Sequence, residues 1–182
     1  MRTKISRGLI IDASVARASG GEDAKHPTPK RCRDFLKTVL SICHHVVMTP
    51  AISDEWKKHR SNFARKWYVS MAARKKVNLA DIGADDRLRG KIKLHVTHEK
   101  DCEAMLKDIH LIEAALATDQ IVISHDENAR RLYIVTAVNI SELKQVAWIN
   151  PDRIEEQPIH WLENRAKPEK KRMLGFWLKK RE

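Results

Sequence analysis

The stretch KDIHLIEAALATDQIVISHDE, residues 107–127, constrains the fold of this chain more than any other. It reads as an amphipathic helix, a short turn and a continuously apolar strand, with Asp126 just beyond the strand. On a wheel of about 100° per residue, Met105, Ile109, Leu111, Ile112, Ala115 and Leu116 share one face, and Asp108 falls near its middle. A strand without polar alternation must be covered on both sides, so helix and strand together imply a parallel sheet with helices packed against it. Asp108 then needs an explanation, because an unpaired buried charge is costly. It calls for an Arg or Lys partner, a role in capping the helix, or a metal ion.

The rest of the chain repeats the alternation. Residues 7–12 carry the apolar run Gly8, Leu9, Ile10, Ile11, ended by Asp12. Residues 18–30 gather Gly20, Gly21, Pro27 and Pro29 and are predicted to form a loop. From Arg31 the spacing of Phe35, Leu36, Val39, Leu40 and Cys43 predicts a helix, followed by a buried strand over residues 45–48. Thr49 and Pro50 supply an N-cap and first helical residue, opening a helix that carries Ile52, Glu55, Trp56 and Phe63 and is expected to run on through Lys76. Residues 81–91 read as a loop, 92–96 as a short edge strand, 97–107 as the start of the helix bearing Asp108, and 120–124 as a buried strand. A helix over 128–138 and a last strand near 145–149 complete an α/β pattern.

Within the long helix, Lys57, Lys58, Arg65 and Lys66 belong to a run of bases without an intervening acid, with Phe63, Trp67 and Tyr68 interleaved. Such a surface suits a phosphate backbone, with the rings either stacking on bases or belonging to the core. The formal net charge of +11 points the same way, toward an anionic partner with nucleic acid foremost. Three cysteines are too few for a disulfide framework and suit a reducing compartment. Cys32 and Cys43 share a helical face but lie roughly 16 Å apart along it, too far for one zinc ion. No apolar run approaches the roughly 20 residues that span a bilayer, so a cytoplasmic protein without membrane contact is expected. From Pro151 the periodicity weakens, and residues 165–182 alternate bases with Met173, Leu174, Phe176, Trp177 and Leu178 as a tail that packs on the domain, binds RNA or meets a partner.

Open α/β sheets bind ligands beyond the carboxyl ends of their strands, and Asp12 and Asp126 each follow a strand. Glu55 and Asp108 sit on inward helix faces, whereas Asp54 points outward and Asp119 precedes its strand, some 20 Å away at the other edge of the sheet. Clustered carboxylates repel one another unless a cation is present, so four acids in a basic protein suggest a Mg²⁺ or Mn²⁺ site. Such an ion activates water for in-line attack on a phosphodiester.

Four pieces, LIIDAS at 9–14, MTPAISDEW at 48–56, KDIHLIEAAL at 107–116 and IVISHDE at 121–127, together resemble the PIN-domain nucleases in order, spacing and strand context. The resemblance places Asp12, Glu55, Asp108 and Asp126 on the family's acidic positions and Ser124 on its Ser/Thr position. It implies a three-layer α/β/α sandwich around a five-stranded, mainly parallel sheet over residues 1–150, with 151–182 as a basic C-terminal extension. It further implies a metal-dependent endoribonuclease acting on RNA, a toxin of a toxin-antitoxin module with an antitoxin partner, and homodimer formation. Two departures stand against the toxin role: IHLIEAAL follows the third acid where a small residue is common, and the basic tail extends beyond the last strand. The alternative is a PIN-like nucleic-acid-binding module that has lost catalysis. A phosphatase or nucleotide-binding domain lacks its Gly-rich phosphate loop after the first strand.

Overall fold

The computed structural model describes residues 5–21, 23 and 25–180 of the chain, and side chains up to residue 177. Residues 1–4 of the charged N-terminus, and the Leu178 side chain and residues 181–182 of the tail, lie outside the described residues. Five short parallel strands form one sheet: β1 (Gly8–Ile11), β2 (His45–Met48), β3 (Val77–Leu79), β4 (Ile121–Ile123) and β5 (Ala147–Ile149), in the order β3-β2-β1-β4-β5. Helices flank it, giving a mixed α/β fold. β1 lies at the centre, fully buried, as its unbroken apolar sequence requires. After β3 the chain returns to the other side of β1, so the order reverses between β1 and β4. Ile10 and Ile11 face Val122 and Ile123 in register, and Asp12 donates its amide to the Ile123 carbonyl at 2.9 Å. Asp12 and Ser124 therefore leave the sheet side by side.

The opposite end of β1 is held by Asp119, which accepts from the Gly8 amide at 2.7 Å and from Arg7 at 3.0 Å. Gly8 is required there: a Cβ would stand 2.9 Å from Val47 Cγ2 and 3.1 Å from His45 Nε2. Asp119 thus has a structural task at the far edge, where its position before the strand predicts it.

Several elements differ from the expectation. A helix α1 (Ala13–Ala18) follows Asp12 directly, and α2 (Pro27–Ser41) begins within the expected loop, because Pro27 occupies its first position, where no amide is needed. The long basic helix is two helices, α3 (Pro50–His59) and α4 (Asn62–Ala73). Arg60 is extended, and Ser61 accepts from the Ala64 amide at 3.1 Å, a cap that outcompetes continuation. At the start of α3 the expected Thr49 cap is present, accepting from the Ile52 amide.

The expected edge strand over 92–96 falls instead in α5 (Asp86–His95), whose Leu88 and Ile92 are buried four residues apart and whose Asp85 caps Leu88. The sheet's edge strands are β3 and β5. α6 (Glu99–Leu116) and α7 (Glu127–Thr136) lie where the periodicity puts them.

Beyond β5, the helix α8 (Pro158–Glu163) buries Trp161 and Leu162, and the chain returns to the sheet. Met173 bridges Ala147 in antiparallel sense, and Leu174, fully buried, donates its amide to the Val146 carbonyl at 2.9 Å. Of the three roles open to the tail, packing on the domain is the one these contacts perform.

Candidate functional site

The carboxyl ends of β1 and β4 open onto a small polar network. Asp12 is nearly buried, and its Oδ2 accepts hydrogen bonds from Ser14 at 2.5 Å and Ser124 at 2.7 Å. Ser124 Oγ in turn accepts from the Asp126 amide at 3.0 Å, and Ser14 Oγ from the His125 amide at 3.1 Å. Two hydroxyls thereby tie the end of β1 to the turn after β4. Asp126, exposed, uses its Oδ1 to accept from the Ala129 amide at 2.8 Å and so caps α7.

Glu55 reaches this end of the sheet because Trp56 beside it is fixed: the Trp56 indole donates to the Ile11 carbonyl at 2.8 Å. Glu55 Oε2 lies 3.5 Å from Nε2 of His110, two residues along α6 from Asp108. Asp108 is half-buried and has no hydrogen-bond or ion-pair partner among the described residues, so neither an Arg or Lys partner nor a cap accounts for it. Burial foremost, and then the negative charge of Asp12, push its carboxyl from an ordinary 3.8 up to about 6, with Asp126 and Glu55 adding and Lys107 opposing. Asp108 is thus within electrostatic reach of the other three acids.

They do not build a coordination shell. Among the described residues no group of three or more His, Cys, Asp or Glu side chains is placed to hold a metal ion. The donor chemistry gives the reason: Asp12 is occupied by two hydroxyls, Asp126 by its helix cap, and Glu55 faces an imidazole. This overturns the expected Mg²⁺ or Mn²⁺ cofactor. The metal-dependent endoribonuclease, and the hydrolase and toxin roles that depended on it, fall with it. Ser14, His110 and His125 were not singled out from the sequence. Only Ser14 had a signal, standing two residues after Asp12 as Ser124 stands two before Asp126.

The basic surface lies on α3 and α4. Lys57 and Lys58 are exposed in the last turn of α3, where cations favour the helix dipole, and Arg65 and Lys66 are exposed near the start of α4. Lys57 pairs with Asp54 at 3.2 Å across open solvent, a contact worth little. Lys58 and Arg65 have no ion-pair partner among the described residues. Two later bases of the run are committed elsewhere. Lys76 donates to the carbonyls of Leu40 at 2.9 Å and Ile42 at 2.6 Å, and Arg74 to that of Leu40, so both satisfy the end of α2. Of the interleaved aromatics, Phe63 and Trp67 are buried, the Trp67 indole donating to the Leu36 carbonyl, while Tyr68 is half-buried against Trp56.

No protein-family model, no curated protein and no solved structure matches this chain. No helix among the described residues is long and apolar enough to cross a membrane.

Proposed function

We propose that this chain is a PIN-like nucleic-acid-binding module, a three-layer α/β/α domain that holds RNA without cleaving it. The observation that carries the reading is the set of exposed cations Lys57, Lys58, Arg65 and Lys66 at the α3–α4 corner, in a chain of net charge +11. The likeness to PIN domains supports the architecture: the strand order reverses between β1 and β4, and the motif acids lie at the carboxyl ends of those strands or on the helices beside them. Two of the acids, Asp12 and Asp126, serve the fold instead of a metal. Asp12 ties two serines together and Asp126 caps α7, which keeps the ends of β1 and β4 joined beside the helix that presents the bases.

The test is binding of a fluorescently labelled RNA by the whole chain, titrated at several salt concentrations, with the RNA recovered and sized after incubation in Mg²⁺ and in Mn²⁺. Binding that weakens steeply with salt, with the RNA intact, is the expected result. Absence of binding at low salt, or metal-dependent cleavage, would remove the proposal.

A further inference from the structure

The chain contains five Trp, two Tyr and three Phe, and none of the ten is exposed. Trp56, Trp67, Phe35, Phe63, Tyr133, Trp148 and Trp161 are buried, while Tyr68, Phe176 and Trp177 are partly covered. At the basic corner the rings are also bolted in place. The indoles of Trp56 and Trp67 are bonded to backbone carbonyls, their ring centroids lie 5.7 Å apart, and Tyr68 packs on Trp56 at 6.2 Å. Turning either indole outward would break a buried hydrogen bond and open the core.

A surface that offers cations but no fully exposed ring has a restricted choice of target. Proteins that hold single strands combine a basic groove with aromatic platforms on which unstacked bases lie, each stacked base contributing roughly fivefold or more to affinity. Here only the partly covered Tyr68, packed on Trp56, lies near the cations, and no fully exposed ring offers a platform. What remains is attraction to phosphates, which is strongest where phosphates are densest, along a duplex carrying about one charge per 1.7 Å of axis. The bases of a duplex are already stacked on one another and ask for no protein ring.

We infer that the α3–α4 corner binds double-stranded nucleic acid through its phosphate backbone, without reading sequence, in preference to single strands. This rests on the nucleic-acid-binding reading above and narrows it. Duplex RNA and duplex DNA share the chemistry that the corner recognises, and only comparison of the two separates A-form from B-form as the better fit.

The experiment compares four labelled probes of equal length with the full chain: an unstructured single-stranded RNA, two RNA duplexes of unrelated sequence, and a DNA duplex. Dissociation constants are measured over a range of salt. The inference expects a duplex to bind on the order of tenfold tighter than the single strand at equal salt, and the two RNA duplexes to agree within about twofold. A second arm replaces Lys57, Lys58, Arg65 and Lys66 together with Gln, exposed positions that leave the core intact. The salt slope for duplex should fall by up to about four units times 0.9, and the duplex preference should collapse. Equal or tighter binding of the single strand overturns the inference while leaving a nucleic-acid-binding protein. Unchanged duplex binding by the Gln variant overturns it by moving the surface elsewhere. Failure to bind any of the four removes the binding function itself.

Discussion

The indole N–H of Trp56 donates to the main-chain carbonyl of Ile11 across 2.8 Å, both groups deep in the core. Ile11 is the last residue of the central strand, and Trp56 lies between Glu55 and the cations Lys57 and Lys58. One hydrogen bond therefore ties the basic end of α3 to the strand that ends in Asp12.

Removing it should be costly. Trp56→Phe keeps a ring in place but leaves the Ile11 carbonyl buried without its donor, a loss of about 1–3 kcal/mol. Urea unfolding of the variant should show a lower midpoint with an unchanged slope. An unaltered midpoint would mean that the carbonyl finds another donor.

Asp108 should make the fold less stable as pH rises. Its carboxyl, raised to about 6, holds a proton in the folded chain over a range in which the unfolded chain has released it. Stability consequently falls as pH climbs from 3.8 to about 6, and the penalty is complete above that. Allowing for its partial exposure, Asp108→Asn should stabilise the protein by about 1–2 kcal/mol at neutral pH and by nothing at the acid end of the window. Thermal melts of both proteins across the window check this, and parallel curves would refute it. Asp12→Asn, which removes the largest neighbouring charge, should move the Asp108 titration back toward its ordinary value, as read by carboxyl NMR.

Gly8→Ala should destabilise by about 1–3 kcal/mol through overpacking, since the new methyl group meets the buried side chain of Val47 at 2.9 Å. The same change at Gly83, where a Cβ meets nothing within 4 Å, provides the control. Equal melting temperatures for the two variants would show that the β1–β2 pair yields more easily than its packing implies.

Much of this fold was legible because local and tertiary demands agree. The runs that became β1 and β4 are apolar throughout, β2 is apolar after His45, and α6 carries its stripe over many turns, so pattern alone identifies them. The misread pieces are short or ambiguous. β3 has three residues, two of them exposed, and so almost no burial pattern to detect. KIKLHV alternates like a strand, yet its Ile92 pairs in register with Leu88, outside that window, and the helical period wins. The break between α3 and α4 turns on the Ser61 hydroxyl, which also meets Ser19 at 2.8 Å, a partner distant in sequence.

The site was legible in position and misjudged in chemistry. Sequence places Asp12, Ser124 and Asp126 at adjoining strand ends, where they are. It does not show that Ser14 and Ser124 converge on one oxygen of Asp12, because that depends on a pairing between strands more than a hundred residues apart.

The return of the chain to β5 also places a load on the segment after α8. Leu174→Ala should cost about 2–4 kcal/mol, as for any fully buried leucine, although it lies in a stretch whose composition resembles a solvated tail. Chemical denaturation of the variant measures it, and a change within error would detach the segment from the cooperative unit.

The Met173 bridge covers an edge of the sheet that would otherwise be open. Whenever the segment that carries Met173 lifts away, the outer edge of β5 presents unpaired amides and carbonyls at Ala147. The lifetime of that lifted state, rather than the stability of the intact domain, then sets how readily a strand of a second chain pairs there.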